Sequence, residues 1–264
     1  MQQHILEVII FLYGLCIGSF LNVCIFRIPA SKSIVRPGST CLSCGHGVKF
    51  YDNIPVISYL ILKGKCRNCG AVISIRYPLT ELITGLFALF VFERFGLTAE
   101  SLIYFTFISA LIVITFIDID HQIIPDVISL PGIPLGIFLA WFLDTMTLKD
   151  SIIGVLAGGG SLFAVAWGYK MATGKDGMGG GDIKLLAMIG ALLGWQGVIF
   201  TIFAGSAIGT AAGIVTMISA RNMNMKLAIP FGPFLSAGAI LYIFYGTLVI
   251  NWYFGTMIHY PPTG

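Results

Sequence analysis

The sequence predicts an all-α polytopic membrane protein with about eight transmembrane helices and one small extramembrane module that carries paired cysteines. Three observations predict it. Hydrophobic residues make up 57% of the 264 and charged residues only 10%, whereas soluble domains average about 25% charged. Apolar runs recur near 5–26, 79–95, 101–117, 127–143, 152–170, 183–195, 197–219 and 232–251. A crossing needs roughly 20 residues, so the second and sixth runs are short. The polar remainder gathers mainly in residues 27–78, which hold four of the six cysteines.

The first run is longer than a signal-peptide core. It has no basic lead-in and no small-residue cleavage pattern behind it, so it is expected to stay as a span. With the N-terminus outside, eight spans place residues 27–78, 118–126, 171–182 and 220–231 in the cytoplasm. Thirteen of the fifteen basic residues then fall in or beside those connections, with only Arg94 and Lys149 opposite. That asymmetry is the positive-inside pattern and orients both termini outside. Gly154 and Gly158, Gly190 and Gly194, and Gly205, Gly209 and Gly213 are spaced four apart, which lets helices pack closely in lipid.

Within residues 27–78, Cys41-x-x-Cys44-Gly45 and Cys66-x-x-Cys69-Gly70 read as two tight knuckles. Two knuckles supply four thiolates, the tetrahedral shell that zinc takes in structural sites. The 21-residue spacer between Cys44 and Cys66 lies just beyond the usual spacing of about 15–20. Disulfides are the competing use, but thiols stay reduced in the cytoplasm. Four ligands leave no open position, so the metal is expected to hold the loop together. His46 reads as a surface histidine, and Cys16 and Cys24 as small packing residues in the first span.

The stretch Gly174–Leu186 contains Gly177, Gly179, Gly180, Gly181 and Asp182 just before an apolar run. Glycines there leave the backbone free to be irregular at membrane depth, which is tolerated only beside protein or a watery cavity. A carboxylate in that place is a functional-site candidate, or else a helix cap. A second acid in matching surroundings decides between them. Asp118, Asp120 and Asp126 lie where the third run ends and the fourth begins. Asp126 suits a helix cap, Asp120 suits water, and Asp118 follows the apolar run directly. Asp118 and Asp182 both fall on the cytoplasmic edge and can meet in a bundle. Two close carboxylates share one proton near neutral pH, giving a base for water and a donor for a carbonyl. Lys184 is a candidate for keeping one acid ionised.

These residues resemble a known family, the type IV prepilin peptidases (leader peptidase/N-methyltransferase), membrane aspartic proteases of the GxGD kind. The blocks carrying the resemblance are Gly18-Ser19-Phe20-Leu21-Asn22-Val23, Arg27-Ile28-Pro29, both cysteine pairs and Asn53-Ile54-Pro55-Val56-Ile57-Ser58-Tyr59-Leu60. They continue with Arg76-Tyr77-Pro78-Leu79-Thr80-Glu81-Leu82, residues 118–126, Gly179-Gly180-Gly181-Asp182-Ile183-Lys184-Leu185 and Pro230-Phe231-Gly232-Pro233-Phe234. One departure is Tyr51, where the family is expected to carry tryptophan.

The resemblance implies Asp118 and Asp182 as the catalytic pair, with Gly179, Gly181 and Lys184 in support. It implies prepilins or pseudopilins as substrates, cut after a Gly at the cytoplasmic face of the bacterial inner membrane. It also implies N-methylation of the new terminus with S-adenosylmethionine. No Rossmann fingerprint is present for that donor, and Glu81 is a candidate contact near the cysteine module, with a plain helix-start acid as its alternative. The expected division is 1–95 for the module with its two flanking spans and 96–264 for a six-helix peptidase domain. The bilayer is the other partner, and no nucleic acid is expected. Two rivals of other classes are an ion- or proton-coupled transporter and a zinc-knuckle adaptor. The first wants acids near the bilayer centre and repeated halves; the second leaves the membrane-edge acids without a purpose.

Overall fold

In lipid the backbone must satisfy its own hydrogen bonds, so apolar runs of this length fold as helices. The structure, a computed structural model, describes residues 2–143, 145–175, 179–219 and 230–254. Its helices are α1 (Gln2–Arg27), the short α2 (Ile57–Ile61), α3 (Arg76–Phe95), α4 (Ala99–His121), α5 (Asp126–Leu139), α6 (Leu148–Thr173), α7 (Gly180–Ser219) and α8 (Gly232–Phe254). Among the described residues the only β pairing is two isolated bridges, Thr40 with Gly47 and Lys65 with Val72. Among the described residues five helices (α1, α4, α6, α7 and α8) are long and apolar enough to cross a membrane. The chain is a membrane protein. The shorter α3 and α5 occupy the runs expected near 79–95 and 127–143. Gly177, Arg221, Lys226 and His259 lie outside the described residues.

The chain divides into two compact units, Met1–Pro125 and Asp126–Gly264. In the first, α1 packs on α3 and α4, and α3 on α4. Ile108, Leu111, Ile114 and Ile117 form a fully buried stripe along α4. The α1–α3 crossing is close because Gly18 has no side chain: a Cβ there would lie 2.6 Å from the Glu81 Cα. Small residues permit such approaches between membrane helices. Helix α3 begins at Arg76, three residues before the expected run, because Pro78 sits in its first turn. There the missing N–H is no loss. Helix α4 runs on to His121, so Asp118 and Asp120 are helical rather than part of a connection. It stops where Gln122 turns left-handed (φ 53°) and donates its N–H to the Asp118 carbonyl at 2.9 Å.

In the second unit α7 is the hub, packed by α5, α6 and α8. Forty residues of continuous helix would measure about 60 Å, twice a bilayer core. A break at Gly194 (φ 69°, ψ −178°) divides α7, close to the boundary between the sixth and seventh expected runs. Gly154 and Gly190 bring α6 against α7: a Cβ on either would lie 2.1 Å from the other's carbonyl oxygen. Ser151 ties the same pair by donating to the Ala191 carbonyl at 2.6 Å. Helix α6 starts four residues earlier than expected, at Leu148, because Thr147 and Asp150 form a capping box. Helix α7 starts at Gly180, so Gly180 and Gly181 are helical and the irregular backbone stops at Gly179. The first helical turn leaves its N–H groups unpaired in any case, which lets glycines sit there cheaply.

Candidate functional site

The four-cysteine cluster is built from two copies of one turn. In each, the first cysteine takes a backbone bond across the turn: Cys41 N–H to His46 O at 2.9 Å, and Cys66 N–H to Ala71 O at 2.8 Å. In each, the following glycine donates back to that cysteine's carbonyl, Gly45 at 2.8 Å and Gly70 at 2.9 Å. Both glycines are left-handed, at φ 69° and 72°, a conformation that suits glycine and explains its place after each pair. The ligand atoms of Cys41, Cys44, Cys66 and Cys69 all lie within 4.8 Å of one another.

The Cys41 and Cys69 sulfurs are 3.8 Å apart. That spacing rules out a bond between them, which measures about 2.05 Å. It matches the edge of a tetrahedron with arms of about 2.3 Å, the zinc–thiolate length. The four residues together can hold a metal ion. Backbone N–H groups of Cys44 and then Ser43 lower the Cys41 thiol to about 6. Cys69, although helped by a bond from Ala71, is pushed up to about 11 by desolvation and its three sulfur neighbours. Crowded thiols therefore resist sharing negative charge until a cation joins them. His46 stands outside the cluster and is exposed.

A second clamp braces the module. Arg67 grips Asp52 through Nε (3.0 and 2.9 Å) and Nη2 (2.6 Å). The hydrogen bond from Arg67 holds the Asp52 carboxyl below the usual carboxylate range. Tyr51 receives the Arg67 and Lys49 cations over its ring, each 5.6 Å from the centroid. An aromatic face is what that stack requires, and tyrosine supplies it where tryptophan was expected.

Between these knuckles and the adjoining ends of α1 and α3 lies a cavity of about 500 Å³, lined by Ser19, Asn22, Val48, Val56, Tyr59 and Glu81 among others. Glu81 is buried at 8% exposure. Its Oε2 accepts the Val56 N–H at 2.8 Å. Val56 itself sits at φ 60°, ψ −49°, and Ile57 N–H reaches back to the Pro55 carbonyl at 2.6 Å. That is a γ-turn of the rare positive-φ kind, strained for a β-branched residue. Such backbone costs about 1–3 kcal/mol and persists only where its surroundings impose it. The Glu81 carboxylate is part of what imposes it here.

The candidate acids occupy different settings. Asp118 is buried at 5% exposure in the last turn of α4. Asp120, two residues on, pairs with Arg76. Arg76 also donates to the Phe116 carbonyl at 2.9 Å and stacks over the Phe116 ring at 4.6 Å. The sequence marked Arg76 only as a basic residue in a family block; that it staples the turn carrying Asp118 depends on α3 lying beside α4. In the second unit Asp126 opens α5 and accepts both bonds from Lys184 Nζ, at 2.7 and 2.9 Å. The Lys184 ammonium is thus engaged with Asp126. Asp182 stands half-buried in the first turn of α7. Among the described residues, a Cβ at Gly179 or Gly180 would meet nothing within 4 Å. Asp118 belongs to the first compact unit and Asp182 to the second.

The described residues define a helical membrane protein with a four-thiol module and with acids at helix ends. Residues 12–95 match the Bacterial Peptidase A24 N-terminal domain, and residues 105–214 match the Type IV leader peptidase family. The chain is 38% identical to a Prepilin leader peptidase/N-methyltransferase of Pseudomonas aeruginosa, over 92% of this chain and 91% of that one. It is 36% identical to the protein of that name from Pseudomonas putida, over 88% of each. With the one from Aeromonas salmonicida it shares 35% identity, over 95% of this chain and 94% of that one. No solved structure matches. The chain belongs to the type IV leader peptidase family and is an enzyme.

Proposed function

We propose that this protein is an aspartic endopeptidase of the inner membrane, cutting the leader from type IV prepilins or pseudopilins after a Gly and then N-methylating the new terminus. Asp118 and Asp182 are its catalytic pair. The observation that carries the assignment is the contrast among neighbouring acids: Asp120 and Asp126 are exposed and bound to Arg76 and Lys184, whereas Asp118 is buried. A carboxylate withdrawn from water is the one whose proton affinity its surroundings can tune. Eight spans, both termini outside, and the module and acids on the cytoplasmic side complete the reading. The basic residues of the cysteine module support that orientation.

In this mechanism the ionised carboxylate takes a proton from water, whose oxygen bonds to the scissile carbonyl carbon. The neutral carboxyl donates a hydrogen bond to the carbonyl oxygen. Collapse of the tetrahedral species breaks the C–N bond, and the proton passes to the leaving amine. Leader carboxylate and free amino terminus result. Gly179 and Gly181 leave room for substrate backbone beside Asp182, and Lys184 keeps positive charge at that helix start. Residues 96–264 hold the peptidase, and residues 1–95 serve methyl transfer.

Cys41, Cys44, Cys66 and Cys69 hold a structural zinc ion, a role supported by their number, softness and spacing. S-adenosylmethionine supplies an electrophilic methyl group when bound. The test is cleavage of a leader-bearing pilin peptide in detergent. Asp118→Asn and Asp182→Asn should each lower the rate by about 10²–10⁴ with unchanged helicity and metal content. Full cleavage by either variant would refute the pair. Mass spectrometry of a co-expressed pilin reads the mature terminus and an added methyl group together.

A further inference from the structure

Glu81 is a buried carboxylate on the wall of a cavity of about 500 Å³. Among the described residues no lysine or arginine pairs with it. Of the lysine and arginine side chains that line the cavity, Arg67 is paired with Asp52 and Lys49 lies over the Tyr51 ring; Arg76 is paired with Asp120. Glu81 receives only the neutral Val56 N–H and the Ser19 hydroxyl. A buried charge is costly unless it is paired, so Glu81 lacks a counter-charge among the described residues. The cavity has the size of a small-ligand pocket, about 300–1,000 Å³, with a mixed lining in which Asn22, Asn53 and Tyr59 join the apolar Val48, Val56 and Ile73. Its volume suits a nucleoside joined to an amino acid. The strained γ-turn at Val56, pinned by the same carboxylate, is the kind of backbone that gathers at ligand clamps.

We infer that this cavity is the methyl-donor pocket and that the Glu81 carboxylate is the counter-charge for the organic cation it takes, a sulfonium donor of the S-adenosylmethionine type. The inference rests on the methyltransferase reading above and gives that activity a place. The γ-turn makes the carboxylate a positioning group as well, since it holds Val56 against the pocket. Ser19 and Asn22 bring the end of α1 into the same wall.

Equilibrium dialysis with tritiated S-adenosylmethionine tests this on the full chain in detergent, with metal content and thermal unfolding as checks on folding. Glu81→Gln keeps an oxygen for the Val56 N–H and removes only the charge. Val48→Trp fills the cavity from its exposed rim. Each should weaken donor binding at least about tenfold, which is 1.4 kcal/mol. Donor binding by Glu81→Gln equal to wild type overturns the assignment. If that variant does not fold, Val48→Trp decides, and unaltered binding there overturns the pocket. Loss of affinity in Glu81→Gln for a mature pilin peptide with a free amine, with donor binding intact, also overturns it and gives the wall to the amine. Wild type that neither binds the donor nor adds a methyl to co-expressed pilin refutes the methyltransferase reading itself, a failure distinct from the others.

Discussion

Arg76→Ala separates the roles of the staple and of the ion pair at the end of α4. Three contacts disappear: the pair with Asp120, the bond to the Phe116 carbonyl and the stack on the Phe116 ring. The side chains of Arg76 and Asp120 are 31% and 35% exposed, so solvent screening keeps the pair at about 0.5–1 kcal/mol. The carbonyl bond adds about 1 kcal/mol and the stack about 0.5–1 kcal/mol. Arg76→Ala should therefore cost about 2–3 kcal/mol, and Asp120→Asn, which removes only the pair, about 1 kcal/mol or less. Thermal unfolding in detergent measures both, and the double variant gives the coupling. Prepilin cleavage is read alongside. Loosening the turn that carries Asp118 should lower kcat in Arg76→Ala more than in Asp120→Asn, because near-attack geometry is sensitive to shifts of about 1 Å. An Asp120→Asn variant that loses as much stability and rate as Arg76→Ala would refute the staple and leave the ion pair as the whole effect.

Gly154→Leu and Gly190→Val each put a Cβ 2.1 Å from a facing carbonyl oxygen; backbone cannot yield there as a side-chain tip can, so both should lower the unfolding temperature sharply or prevent accumulation in the membrane. Chelation of the metal should release the two knuckles and open residues 33–75 to protease, while zinc restores protection; protection that survives full metal removal argues that the Asp52–Arg67 clamp alone holds the module. Asp52 has a folded-state pKa below its unfolded value, so its contribution is complete above the unfolded pKa and is lost as pH falls through the folded one. Asp52→Asn should thus lower module stability at neutral pH, where the carboxylate contributes, and flatten the acid limb, so that protease protection of the two proteins converges below about pH 4.

The helices were legible because lipid leaves a chain few choices: an apolar run must close its own hydrogen bonds, and length then marks where it can cross. Their ends were less so. The second run was expected to begin near residue 79, and Pro78 proved to be part of the helix's first turn. Gly180 and Gly181 looked irregular and proved helical. In both cases the first turn does not use the groups that those residues lack or loosen. The thiol cluster was legible down to its four residues, since each C-x-x-C-G block encodes a complete turn in adjacent sequence.

Contacts between elements were not legible. Nothing in the sequence near Arg76 says that it grips Phe116 and Asp120, forty and forty-four residues on. Nor does the spacing from Val56 to Glu81 announce a hydrogen bond. Glu81 could be suspected from its place at the membrane edge, but a plain helix-start acid was the simpler reading of the chain. What the structure adds is burial without a cationic partner among the described residues, and that burial follows once Gly18 lets α1 cross α3 at Glu81. The decisive signal therefore lay in a glycine sixty-three residues away. Replacing Gly18 with Val should accordingly push α1 off Glu81 and widen the cavity, so donor binding should fall even though Gly18 touches no ligand. Donor affinity that survives Gly18→Val in a folded protein would detach the pocket from the helix crossing that creates it.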